Sequence, residues 1–371
     1  MVLVLVAMLA RLQVIDPDRY VQKGVGQRQV RTTLVGLRGS IVDRNGETLA
    51  MSLPARAVTA DPRYVTNPEA AAKALAPVIG MDVAQIRAKL EKPDTGFVYV
   101  ARQLDAEVGD KVRKLGLPGV YVTDESRRVT AADDLAQSVV GRMNVFGDEA
   151  SFGLELSMDD ILTGHDGLRV HERGGDGATI VGSERTEKAP RAGRDVKLTL
   201  DRSLQFWAES ALEEQVAKLR AASGTAIIGR PATGEVLAMA NVVAADDGVR
   251  PSILNLAVRT YEPGSVMKLV TAAAGFETGV VQPDTVFTVP PKIQVADKVV
   301  SDSHKHPTEP MTVQDIIAQS SNVGTIKIAQ LVGRKGILRM LDKFRFGKMT
   351  ALGLQKEQAG SFRRKWYGSD I

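Results

Sequence analysis

The sequence predicts an α+β chain of two domains, and three observations point there. Its 371 residues suffice for two hydrophobic cores. Amphipathic helical stretches and short strand-like runs are interspersed along it. A connector rich in charge and glycine, residues 171–194, divides it, which sets the expected boundary near Gly193. The hydrophobic fraction of 44% and the charged fraction of 25% are those of folded proteins. A net charge of +4 is too small to argue for a nucleic-acid partner, and none is expected. There is no cysteine, which excludes disulfides, thiolate zinc sites and a cysteine nucleophile.

In chain order, residues 1–10 are uninterrupted apolar sequence stopped by Arg11. That is about half of the roughly twenty residues that a membrane-spanning helix needs. Taken alone, the run fits a short buried helix, a strand or the end of a span. Residues 16–35 are polar and glutamine-rich, with Arg19, Arg28 and Arg31 along them, and read as a stalk. Asn45-Gly46 between two strand-like runs signals a tight hairpin. Helices are expected over 68–79, 82–90 and 105–115, with strands over 96–100 and 119–122. After the connector come a strand over 196–200 and a helix over 204–220 capped by Asp201. Strands over 224–229 and 235–242 follow, joined by the turn Pro231-Ala232-Thr233-Gly234.

The stretch with chemical content is Tyr261-Glu262-Pro263-Gly264-Ser265-Val266-Met267-Lys268 and the apolar run to Glu277. Pro263 and Gly264 suit a loop or first turn, so a helix buried on all sides is expected to begin at about Ser265. Lys268, three residues on, shares a face with Ser265, and burial favours its neutral amine over its cation. The unpaired N–H groups at a helix's positive end would meet an oxyanion formed at Ser265. A serine beside a neutral lysine is an activated nucleophile. Ser-x-x-Lys is expected about once by chance in a chain of this length, so its context matters. Thr312, with Asp315 three later, caps a further helix that runs into Ser320-Ser321-Asn322, ahead of the apolar run 323–332. Polar residues between two apolar helices cap the second helix or face a cleft. His304 and His306 flank Lys305 without a third ligand at convincing spacing, so they read as solvated loop residues and not as a zinc site.

Ser265-Val266-Met267-Lys268 followed by Ser320-Ser321-Asn322 resembles the Ser-x-x-Lys and Ser-x-Asn motifs of penicillin-binding proteins and serine β-lactamases. Three further stretches narrow the resemblance to class B penicillin-binding proteins, closest to the septal cell-division group. They are the approach Tyr261-Glu262-Pro263-Gly264, the stretch Thr233-Gly234-Glu235-Val236-Leu237-Ala238-Met239, and Arg38-Gly39-Ser40-Ile41-Val42-Asp43-Arg44-Asn45-Gly46. Gly153-Leu154-Glu155 resembles an element late in that family's non-catalytic pedestal. Where relatives usually carry an arginine soon followed by Tyr-Pro, this chain has Arg127-Arg128-Val129-Thr130.

The resemblance implies the remnant of an N-terminal membrane anchor over 1–15 and a pedestal of the dimerisation type over 16–192, held together by Arg38, Asp43 and Arg44. Residues 193–371 would be the N-terminal part of a transpeptidase domain, helices packed on an antiparallel sheet. Ser265 would attack the carbonyl between two D-alanines of a peptidoglycan stem peptide, and Lys268 would take its proton. Ser320 would relay protons to the leaving amine, while Asn322 would bind the substrate amide and Lys268. The acyl group would pass to an amine of a neighbouring strand, and β-lactams would trap Ser265. No metal or organic cofactor is implied. The implied setting is the cell membrane, crossed once with the bulk outside, with division and glycosyltransferase membrane proteins as partners. The family's third motif, Lys-[Ser/Thr]-Gly, does not occur: Lys335-Gly336 lacks the middle residue and Lys348-Met349-Thr350 ends differently. The chain is therefore expected to stop short of it, beyond the region of Trp366 to Ile371, and to be inactive alone. The alternative expectations are a non-catalytic scaffold that binds division partners through its pedestal, and a β-lactam sensor or β-lactamase, which would lack such a pedestal.

Overall fold

The computed structural model describes residues 28–131, 135–172, 174, 180–350 and 352–365. The expected anchor remnant over 1–15 and the region of Trp366 to Ile371 lie outside the described residues. The chain divides into two compact units after Ala257.

In the first unit, β1 (Gln29–Leu34), β2 (Ile41–Val42) and β3 (Thr48–Ala60) precede α1 (Pro68–Ile79) and α2 (Val83–Leu90). Next come β4 (Val98–Leu104), α3 (Ala106–Lys114) and β5 (Val120–Thr130). β3 pairs antiparallel with β5 from Ala50↔Thr130 to Ala60↔Val120, and with β2 and β4 toward its two ends. The core under this sheet gathers Val58, Leu75, Ile86, Leu90, Val100 and Val112, which are the apolar positions of β3, α1, α2, β4 and α3. Pro68 at the first turn and Gly80 in the left-handed C-cap bound α1, and Asn67 accepts the Ala70 N–H. All three predicted helices therefore form within a residue or so of their expected limits.

The stalk expectation is corrected where the structure describes it. Residues 29–34 are β1, paired antiparallel with β8 (Gly167–Glu172), which also pairs with β9 (Arg185–Lys188). Val30, Thr32 and Leu34 alternate with exposed Arg31 and Thr33, a period of two that the polar composition of the stretch concealed.

Between β5 and β8 run α4 (Gln137–Val140), the β6 (Arg142–Met143) and β7 (Ala150–Phe152) hairpin, α5 (Gly153–Ser157) and α6 (Asp159–Leu162). Glu155 on α5 is fully buried and bridges two arginines. Arg38 Nε donates to its Oε2 at 2.6 Å and Arg128 Nε to its Oε1 at 2.7 Å. Asp43, also buried, accepts the N–H groups of Asn45 and Glu47 in the hairpin turn and that of Arg202. β10 (Val196–Lys197) joins the sheet beside β2, and Asp201 caps α7 (Arg202–Leu219) as the sequence predicts. α7 lies on β12 (Val236–Ala245), the middle strand between β11 (Ser223–Gly229) and β13 (Gly248–Pro251).

The second unit contains α8 (Lys268–Thr278), the strand pairs β14 (Val286–Val289) with β17 (Glu309–Thr312) and β15 (Lys292–Val295) with β16 (Lys298–Ser301), then α9 (Val313–Ala318) and α10 (Asn322–Lys343). α10 is interrupted at Gly333, whose φ is 68°. Thr312 and Asp315 form the expected reciprocal capping box of α9. Gly324 lets α10 meet α9 closely, because a Cβ there would stand 2.6 Å from Ile316 Cγ1. Val281, Val313, Ile316, Val323 and Ile328 form the core at that junction.

Candidate active site

The helix carrying Lys268 starts later than expected. Gly264 takes φ +57°, a left-handed conformation that glycine adopts without steric cost, and a 3₁₀ turn over Gly264–Met267 carries Ser265 ahead of α8. Pro263 at the cap has no side-chain acceptor, so it leaves the turn's leading N–H groups uncapped. The helix is also not covered all round. Val266 is 66% and Leu269 56% exposed, and both line an open apolar groove with Phe344, Phe346 and Phe362. An apolar composition shows that a helix can be buried but not which of its faces the neighbouring elements cover. Ser265 itself is exposed.

Lys268 is half-buried and reaches across to the corner between α9 and α10. Its Nζ donates to Ser320 Oγ at 2.9 Å and to the Ser320 carbonyl oxygen. Burial pushes the amine below its ordinary pKa, and the Asp302 carboxylate partly opposes that shift. A neutral amine has two hydrogens, and with both directed at Ser320 its lone pair remains free to accept a proton. Among the described residues, no hydrogen bond joins the Ser265 hydroxyl to Lys268. Catalytic contacts of this kind are often long before substrate binds.

Ser320 occupies a left-handed conformation, φ +54°, which costs a non-glycine residue of order 1–3 kcal/mol and persists only where neighbours enforce it. Its N–H donates to Ile317 O and that of Ser321 to Ile316 O, which closes the end of α9. Ser321 caps α10, its Oγ accepting the Gly324 N–H at 2.8 Å. Asn322 Nδ2 donates to Ser301 O at 2.9 Å, next to the corner but directed at the end of β16 and not at Lys268. The structure thus joins Lys268 to Ser320 directly, with Ser265 one turn before Lys268 and Asn322 two residues past Ser320.

Sequence reasoning missed Asp302. Its carboxylate accepts from Ser321 Oγ at 2.6 Å and from the Val323 N–H at 2.9 Å, and faces His306 Nε2 at 3.1 Å. The solvated-loop reading fits His304, which is exposed, and is corrected for His306, whose side chain is only 12% exposed. The available signal was Asp302-x-x-x-His306 ahead of a polar helix corner. It could not be decoded without knowing that the loop folds back onto that corner.

Known proteins share this succession of domains. Residues 33–198 match the penicillin-binding protein dimerisation domain, and residues 224–371 match the penicillin-binding protein transpeptidase domain. The chain is 34% identical over 393 residues to penicillin-binding protein PbpB of Mycobacterium tuberculosis, covering 97% of this chain and 57% of that protein. It is 32% identical over 381 residues to peptidoglycan D,D-transpeptidase FtsI of Escherichia coli, covering 99% and 63% respectively. It thus spans about three fifths of the length of these relatives. Among solved structures, a peptidoglycan synthetase from Bifidobacterium adolescentis matches with a TM-score of 0.61 at 29% identity, over 91% of this chain and 67% of that one. Penicillin-binding protein 3 from Mycobacterium tuberculosis, complexed with aztreonam, matches with a TM-score of 0.62 at 28% identity, over 91% and 59%. On these two matched domains and these relatives, the chain belongs to the class B penicillin-binding proteins.

Proposed function

We propose that the protein cross-links peptidoglycan by serine acyl transfer from D-alanyl-D-alanine stem peptides, with Ser265 as nucleophile and Lys268 as its base. The observation that carries the reading is the Lys268 to Ser320 contact at 2.9 Å, made by an amine whose pKa burial lowers, one turn after an exposed serine. Ser265 Oγ loses its proton to the Lys268 amine as it attacks the carbonyl, and uncapped N–H groups of the 3₁₀ turn face the developing oxyanion. Ser320, hydrogen-bonded to Lys268, returns a proton to the departing D-alanine amine. Asn322 has an amide two residues on that can hold the substrate's backbone. An acceptor amine then takes the acyl group from Ser265 and restores the enzyme.

The reading extends to the domains, a dimerisation-type pedestal over 16–192 and transpeptidase sequence over 193–371, and the matches over 33–198 and 224–371 support it. We place the work in septal wall synthesis at the cell membrane, with the bulk of the chain outside, where peptidoglycan lies. Partners there are membrane proteins of division and glycan polymerisation, and β-lactams are inhibitors. The relatives' names as peptidoglycan D,D-transpeptidase and penicillin-binding protein support the substrate and the inhibitor class.

The test is labelling by a fluorescent penicillin, carried out on the protein at the length of its relatives. One covalent adduct at Ser265, lost in Ser265→Ala, is the expected result. No adduct would favour a non-catalytic scaffold, and rapid turnover of the penicillin would favour a β-lactamase.

A further inference from the structure

Asp302 follows β16, and its side chain is 6% exposed. One of its oxygens takes Ser321 Oγ and the other takes the Val323 N–H, so it anchors the N-terminus of α10 from outside the helix. The preceding residue, Ser301, takes the Asn322 amide. The last residue of β16 and the one after it therefore grip the two residues that follow Ser320, while Lys268 grips Ser320 itself.

His306 clamps the loop that follows β16. Its Nε2 lies 3.1 Å from Asp302 Oδ2 and its Nδ1 lies 2.7 Å from Pro307 O, with Glu309 Oε1 at 3.4 Å. Both ring nitrogens therefore face acceptors. A neutral imidazole has one N–H and can satisfy only one of them, whereas the imidazolium satisfies both. The Pro307 carbonyl raises the pKa of His306 most; burial opposes it, and Asp302 and Glu309 add to the rise.

We propose that Asp302, clamped by the His306 imidazolium, is a positioning residue that sets the Ser320 to Asn322 corner for acyl transfer at Ser265. This rests on the reading of Ser265 as nucleophile and adds a proton-sensitive support behind it. The groups facing His306 are the carboxylates of Asp302 and Glu309 and the Pro307 carbonyl; beyond Asp302 stands the Lys268 amine. When His306 loses its proton, Asp302 loses a cationic partner, its hold on the corner loosens, and its pull on the Lys268 ammonium grows. The clamp is complete at low pH and is lost as pH rises through the elevated pKa of His306.

The chain has four histidines, so their ring resonances can be followed individually by NMR on the isotope-labelled protein. The amide signals of Ser320, Ser321 and Asn322 are expected to move with the titration midpoint of His306. That movement should vanish in His306→Gln and persist in His304→Gln, and Asp302→Asn should lower the His306 midpoint. Amides that stay still while His306 titrates, or that move unchanged in His306→Gln, overturn the proposal. A kinetic arm uses penicillin acylation at the length of the relatives. Asp302→Asn is expected to lose about a hundredfold in rate per folded molecule, the scale of a misplacement of about 1 Å, and His306→Gln to remove the fall in rate through the His306 titration while leaving the rise that Lys268 governs. A loss that follows only the folded fraction would make Asp302 a purely structural cap and overturn the proposal. Labelling that survives Ser265→Ala would instead overturn the reading of the nucleophile, a result the NMR measurements do not depend on.

Discussion

Lys268 and Ser320, 52 residues apart in sequence, meet at 2.9 Å between Nζ and Oγ. The amine sits below its ordinary pKa because burial disfavours its charge, and Asp302 restrains that fall. The acylation rate should therefore rise with pH and level off below the range of an exposed lysine. Asp302→Asn should move that inflection lower still, because the opposing charge is gone. Ser320→Ala leaves Lys268 its carbonyl contact but removes the proposed relay, and is expected to cost on the order of 10²-fold or more in acylation. Stopped-flow acylation across pH checks both. An inflection at the ordinary lysine value would contradict the role of burial.

Much of this was legible in the sequence, and the reasons differ by element. α1, α2, α3 and α7 were readable because apolar spacing is a local signal, joined at α7 by the Asp201 cap. The capping box of α9 was read from Thr312 and Asp315 alone. β1 was hidden because its alternation lies in a polar stretch and its partner β8 is more than a hundred residues away. At the site, Ser265, Lys268, Ser320 and Asn322 fall in short motifs. Asp302 and His306 act through a loop that returns to the corner, and no spacing rule encodes such a return. The later start of α8 follows from Gly264, whose left-handed φ turns the chain before a regular helix can begin.

Glu155 is the single buried carboxylate between Arg38 and Arg128, whose side chains are themselves 9% and 6% exposed. Glu155→Ala leaves the buried Arg128 guanidinium without its carboxylate and Arg38 with only the half-exposed Asp159, a change that typically costs about 3–5 kcal/mol. Urea unfolding should show that loss as a lower midpoint with an unchanged slope. A cost below about 1 kcal/mol would mean that the arginines find other partners.

Asp43 joins the hairpin turn to the start of α7. Burial alone would raise its pKa, but the N–H groups of Arg202, Glu47 and Asn45 outweigh it and hold the carboxyl below its ordinary value. A depressed carboxyl contributes stability above its unfolded pKa and loses it as pH falls through the folded one. Asp43→Asn should therefore destabilise the protein by about 1–3 kcal/mol at neutral pH and much less in acid. Parallel loss at both pH values would show that shape rather than charge holds the turn.

Glu209 on α7 has the opposite sign. Burial raises its pKa, only partly offset by the Gln205 amide and the Ala136 N–H, which its Oε1 accepts at 2.7 Å and 3.0 Å. Gln205 in turn pairs with both backbone groups of Met239 on β12, so this acid stands behind the contact that seats the helix on its sheet. A raised carboxyl favours folding below its unfolded pKa and loses that contribution as pH rises through the folded one, so at neutral pH its ionised form is a liability. Glu209→Gln keeps an acceptor oxygen for both donors and removes the charge, whereas Glu209→Ala strands the donors at about 1–3 kcal/mol. Thermal unfolding at neutral pH should thus find the glutamine variant as stable as the parent or more so, and the alanine variant weaker. If glutamine lost as much as alanine, the charge itself would be what those two donors require.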